Sequence, residues 1–208
     1  MYKTEWQQTL QDAEKIDPWL AAWLAFDCIF GKRRNEISKL LRQNIRIEGD
    51  YLIVKFYVGK KLHRTDAIDQ AAYAKKIILK HYAIPYILKY LATFEGEQGY
   101  IFPWKTPHKP ELTVHRTFKN KEGKDETREY HYTVQQGYRS PQNVCHWIKK
   151  VNPNMWPHLG RHTVATRAAE DGATEYELCN ILDVSSRTAS KYVRHGTVLT
   201  DKWSQKTE

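Results

Sequence analysis

Cysteine is scarce. Cys28, Cys145 and Cys179 are odd in number, far apart and without a Cys-x-x-Cys spacing, which argues against a disulfide framework or a zinc site and favours a reducing compartment. Long apolar runs are missing too. No stretch approaches the ~20 apolar residues of a membrane span, and Met1-Tyr2-Lys3-Thr4-Glu5 opens into polar sequence unlike a signal peptide. The expectation is a soluble, cytoplasmic protein with no membrane partner. There is no internal repeat and no low-complexity tract, and 208 residues suffice for one main domain, 1–208, but not for two large ones.

Positive charge is what the chain has in excess. Its 33 Lys and Arg against 24 Asp and Glu give a formal charge of +9, a field that favours polyanions, so nucleic acid is the natural partner.

The apolar density of Pro18 to Phe30 predicts a buried helix with Pro18 in its first turn and Gly31 as its end. A second, amphipathic helix is expected over Arg34 to Arg42, with Ile37, Leu40 and Leu41 on one stripe. From Asn44 the period changes to two. Ile45 and Ile47, a turn at Glu48-Gly49-Asp50, and Tyr51 to Val58 read as a small antiparallel sheet, followed by the basic turn Gly59-Lys60-Lys61. Its third strand falls either at His63 to Ile68 or at Lys76 to His81, and Pro85 then begins a helix, Tyr86 to Phe94.

Residues 104–140 look like a basic, hairpin-like insertion, with arms at Leu112 to Phe118 and Tyr130 to Val134 around a polar turn. It serves either as an extra DNA contact or as a solvated hairpin. Helices are predicted for Pro141 to Val151, His158 to Asp171, Thr174 to Leu182 with Thr174 as cap, and Ser185 to Val193. The chain is thus α+β, mainly α. The tail, 196–208, carries Val198, Leu199 and Trp203 in a polar context that fits docking on an adjacent subunit.

Four motifs carry chemistry. On a helix, residues three apart share a face, so His158 and Arg161 of Pro157-His158-Leu159-Gly160-Arg161-His162 can reach one small anion together. Tyr192 follows as a phenolic nucleophile. Planar guanidiniums hold phosphoryl oxygens bidentately and stay charged, a role for Arg33 and Arg161. The alternative for Arg33 is a solvated cluster with Lys32 and Arg34. Glu36 either orients Arg33 or joins a helix-surface pair. A phenol ionises near pH ~10 and needs a base or a cationic field, which His158 could supply. His162 is either a supporting or a packing residue. His158 and His162 also have the spacing of a metal pair, but no third ligand is evident nearby, so no metal is expected.

In this order the motifs resemble the tyrosine recombinases, or phage-type integrases, over roughly Pro18 to Gly196 without the insertion. The family's first arginine is matched in Gly31-Lys32-Arg33-Arg34-Asn35-Glu36, its basic sheet turn in Gly59-Lys60-Lys61, its His-x-x-Arg-His helix in His158 to His162, and its nucleophile in Tyr192. The resemblance implies a tyrosine-recombinase-like catalytic domain with a small antiparallel three-stranded sheet. It further implies a site-specific recombinase or integrase that cleaves and rejoins double-stranded DNA through a 3′-phosphotyrosyl intermediate, with no metal and no cofactor. Such proteins assemble on DNA as dimers or tetramers and are nucleoid-associated, virus- or mobile-element-borne.

In that scheme Lys60 protonates the leaving oxygen, with Lys61 as runner-up and Lys75 or Lys76 if the turn is longer. Two departures stand out. Leu182-Asp183-Val184 carries valine where the family usually has a phosphate-donating histidine or tryptophan, and the spacing from there to Tyr192 is one residue shorter. His195 or Ser185 could substitute. In addition, only a short polar segment precedes Trp19 where the family usually has a clamp domain, as expected of a solitary or trimmed catalytic domain with lower, salt-sensitive DNA affinity. The alternatives are a non-catalytic, decayed DNA-binding relative and a type IB topoisomerase.

Overall fold

The computed structural model describes residues 3–56, 74–94, 98–103, 111–119, 124–133, 137–156 and 158–193. At its centre is helix α2, Pro18–Phe30, in which every residue but Pro18 and Ile29 is buried. A helix apolar on all sides must be surrounded, and α2 contacts five others: α1 (Lys3–Ile16), α3 (Arg34–Ser38), α4 (Ile84–Leu91), α5 (Pro141–Val151) and α6 (Leu159–Glu170). Asp17 caps it by accepting from the Trp19 N–H at 3.1 Å, and Pro18 stands in the first turn, where no N–H is needed. Gly31 ends it, as expected, and does so at φ 55 in the left-handed region.

Helix α1 was not expected from the sequence. Trp6, Thr9, Leu10 and Ala13 form its buried stripe, but a threonine in the stripe and charges all around mask the period. Helix α3 stops at Ser38 instead of running to Arg42, because the chain turns at Lys39 and then pairs through Leu41 with Tyr100.

Strands β1 (Ile45–Glu48), β2 (Tyr51–Lys55) and β3 (Ala74–Ile78) form one antiparallel sheet in that order. The register runs Glu48↔Tyr51 across the Gly49 turn, where φ is 54, and Tyr51↔Ile78 to Lys55↔Ala74 on the other side. β3 overlaps the later of the two positions expected for the third strand; the earlier one, His63 to Ile68, lies outside the described residues. Leu52 and Val54 point inward, and Val54 pairs with Lys75, so alternation places Lys75 on the inner face and Lys76 on the outer, over the Tyr51 ring at 3.8 Å.

Helix α4 begins one residue before Pro85 and ends at Leu91, short of Phe94. β4 (Glu111–Lys119) and β5 (Asp125–Thr133) pair in a separate two-stranded ribbon, from Glu111↔Thr133 to Lys119↔Asp125. Its second arm starts at Asp125, earlier than the expected Tyr130. Asp125-Glu126-Thr127-Arg128 has no apolar alternation to announce a strand, and main-chain pairing carries it.

Near the C-terminal end, Ser140 Oγ caps α5 by accepting from Asn143 N–H at 3.2 Å. Helix α7, Glu175–Leu182, is opened by a capping box: Thr174 Oγ1 accepts from Glu177 N–H at 3.3 Å and Glu177 accepts from Thr174 N–H at 2.7 Å. A last helix, α8, spans 186–193. Ala165, Leu178, Leu182 and Ala189 form a second, smaller core against which Val184 and Tyr192 pack. The tail, 196–208, lies outside the described residues, and among those described no helix is long and apolar enough to cross a membrane.

Candidate active site

Gly31 permits the sharp exit from α2. A Cβ there would stand 3.0 Å from Val164 Cβ and 3.1 Å from Arg161 Cα, so glycine also allows α6 to approach. The turn sends the next two side chains in opposite directions. Arg33 goes outward to the start of α3, where Glu36 accepts from the Arg33 backbone N–H at 2.8 Å and from its guanidinium at 2.7 Å. Glu36 is itself buried. Lys32 goes inward and is fully buried. The expectation of a solvated Lys32-Arg33-Arg34 cluster is corrected on that point, and Arg34 donates to Cys145 Sγ at 3.3 Å.

Arg161, in the first turn of α6, is only 7% exposed. Its guanidinium donates to Gly31 O at 3.0 Å and to Leu182 O at 2.6 Å, so the ends of α2 and α7 hold it. Burial lowers its pKa, and Arg33 lowers it further by like-charge repulsion, while Glu36, Tyr192 and Asp183 oppose the shift. His158 caps α6 without a side-chain capping bond. Its ring reaches solvent at the rim, yet its pKa lies below the ordinary range, first through loss of water on its inner side and then through the positive charge of Arg34, Arg161, His162 and Arg33. Arg33, Arg161, His158 and His162 therefore lie close enough to feel one another's charge, which disfavours a further proton on His158.

Tyr192 approaches from α8. Its hydroxyl stands 3.2 Å from His162 Nδ1, with the ring centroids 5.7 Å apart. The tyrosine thus meets His162, the residue left between support and packing, and not His158, the expected base. His162 is exposed, so core packing does not account for it. Val184 packs into the small core, and Ser185 Oγ is 3.2 Å from Thr188 Oγ1 at the start of α8. Lys60, Lys61 and His195 lie outside the described residues. Lys75 donates to Asn180 O and, at 3.1 Å, to Asp183. Among the described residues no three His, Cys, Asp or Glu side chains gather as metal ligands do.

Asp27 was missed. It is a lone carboxylate within an otherwise apolar helix, and that isolation was the available signal. One oxygen accepts from Gly160 N–H at 3.2 Å, next to Arg161, while the other is buried without a partner. A Cβ on Gly160 would strike the Asp27 carboxyl and come within 2.6 Å of its backbone oxygen, which cannot move aside. Gly160→Ala should therefore cost about 3 kcal/mol or more of stability, measured by denaturant unfolding, and a wild-type midpoint would contradict this packing.

No family model matches the chain, and no curated protein is similar to it in sequence. Seven solved chains match it in structure. One is described as the crystal structure of XerA recombinase, with a TM-score of 0.59 and 15% identity, covering 100% of this chain and 63% of that one. The chain therefore spans less than two thirds of that protein's length, and at this identity the likeness concerns architecture. The fold, mainly helical with a small three-stranded antiparallel sheet, is recombinase-like.

Proposed function

We propose that this chain is a catalytic domain of the tyrosine recombinase type, which cleaves and rejoins double-stranded DNA. The observation that supports the reading is the 3.2 Å approach of the Tyr192 hydroxyl to His162, one position after Arg161, whose charge is felt by His158 and feels that of Arg33. In this scheme the two guanidiniums bind the non-bridging oxygens of a phosphodiester and stabilise the charge that grows there. Tyr192 attacks phosphorus, and its proton passes to an imidazole, with His162 the nearer. The bond from phosphorus to the 5′-oxygen breaks as that to the tyrosine oxygen forms, and Lys60 supplies a proton to the departing oxygen. Later, a 5′-hydroxyl of another strand displaces the tyrosine. Pairing of two or four such chains on DNA belongs to the same proposal.

A nicked suicide substrate tests it. The wild-type chain should form a protein-DNA adduct stable to denaturant, and Tyr192→Phe should form none. An adduct that persists in Tyr192→Phe would remove Tyr192 from the scheme. The packed, donor-less Val184 favours a second reading, in which the chain occupies DNA without cutting it. DNA binding by the wild-type chain with no adduct at any protein concentration would select that reading.

A further inference from the structure

The C-terminal end of α7 is held by cations in an unusual density. A helix leaves its last carbonyls without intrahelical partners, and positive charge is favourable there. Here three consecutive ones are taken by three side chains from different parts of the fold. Asn180 O accepts from Lys75, Ile181 O from Lys32 at 3.1 Å, and Leu182 O from Arg161 at 2.6 Å. Asp183 follows at φ 51, the only non-glycine residue with positive φ among those described. Its carboxylate, 6% exposed, pairs with fully buried Lys32 and, at 3.1 Å, with Lys75.

We propose that Asp183 is a positioning residue for the site: by pinning Lys32 and Lys75 it locks the end of α7, and with it the Leu182 carbonyl that aims Arg161. A buried ion pair contributes little net stability compared with apolar residues of the same size, so its worth lies in geometry. Burial drives the Lys32 pKa down to about 8 while Asp183 opposes the shift, so the ammonium depends on that carboxylate. Without it the lysine either loses its charge, which weakens its bond to Ile181 O, or leaves its place, which removes that bond, and the last turn of α7 is free to shift under Arg161.

The role rests on the recombinase reading, but one arm of its test does not. In the DNA-free chain, nuclear magnetic resonance titration of His158 senses the placement of Arg161, since burial first, and then the charges of Arg34, Arg161, His162 and Arg33, hold its pKa down. Asp183→Asn should shift the His158 midpoint and slow adduct formation on the order of tenfold, with DNA affinity unchanged. The double variant Lys32→Met with Asp183→Gly should recover thermal stability, because an apolar methionine and an unstrained glycine replace the buried ions, yet keep the shifted midpoint and the slow rate. An unmoved His158 midpoint in Asp183→Asn overturns the proposal. So does a double variant that recovers midpoint and stability together, since Asp183 would then merely neutralise Lys32. If the wild-type chain forms no adduct, the recombinase reading fails while the titration still decides this one.

Discussion

Arg161→Ala should lower the rate of adduct formation on the order of a thousandfold and also destabilise the chain. The two losses share one origin. The guanidinium has five N–H groups, and the bonds to Gly31 O and Leu182 O leave the others for a phosphate. Truncation removes the charge from the centre of the cluster and strands two carbonyls in a protein interior, at roughly 1–3 kcal/mol each. Arg161→Lys separates the effects. It retains a positive charge but not the planar fork, so it should recover part of the stability and little of the rate. Denaturant unfolding and single-turnover adduct formation measure the two sides. An Arg161→Ala chain as stable as wild type would show that this residue does not bridge α2 and α7.

A carboxyl at the heart of α2 should make stability fall as pH rises. Burial pushes the Asp27 pKa up from 3.8 to about 8, against the smaller downward pulls of the Gly160 N–H and the Arg161 charge. The folded chain thus holds the proton more tightly than the unfolded chain. Below the unfolded value of 3.8 both states are protonated and the contribution is complete. Between that value and about 8 the unfolded chain binds less proton than the folded one, so stability declines by up to ~1.4 kcal/mol per pH unit from this group. Asp27→Asn keeps the shape and the acceptor for Gly160 but cannot ionise. Its unfolding free energy should vary less across this window and exceed that of wild type by several kcal/mol at pH ~9. Urea titrations at three pH values suffice, and parallel wild-type and variant profiles would mean that Asp27 does not titrate in the fold.

The elements legible in the sequence are those announced by local chemistry. Pro18 and Gly31 bracket α2, Thr174 opens α7, and Glu48-Gly49-Asp50 turns the sheet. Arg33, Arg161, His158 and Tyr192 stand out in the sequence through residue type and spacing alone. What stayed hidden depends on partners far along the chain. Lys32 beside two arginines reads as a solvated charge, and only Asp183, 151 residues away, makes a buried site for it. His162 reads as either support or packing until α8 brings Tyr192 to it. The stripe of α1 is blurred by Thr9, whose hydroxyl satisfies itself on Glu5 O at 2.8 Å and so tolerates the interior.

The Arg161 bonds also bear on when the site comes into being. Gly31 O lies 130 positions before Arg161 and Leu182 O 21 after it, so the first contact requires the chain through Arg161 and the second the chain through Leu182. On the proposed function, a chain cut short before Leu182 therefore lacks one of the two bonds that hold Arg161 in place.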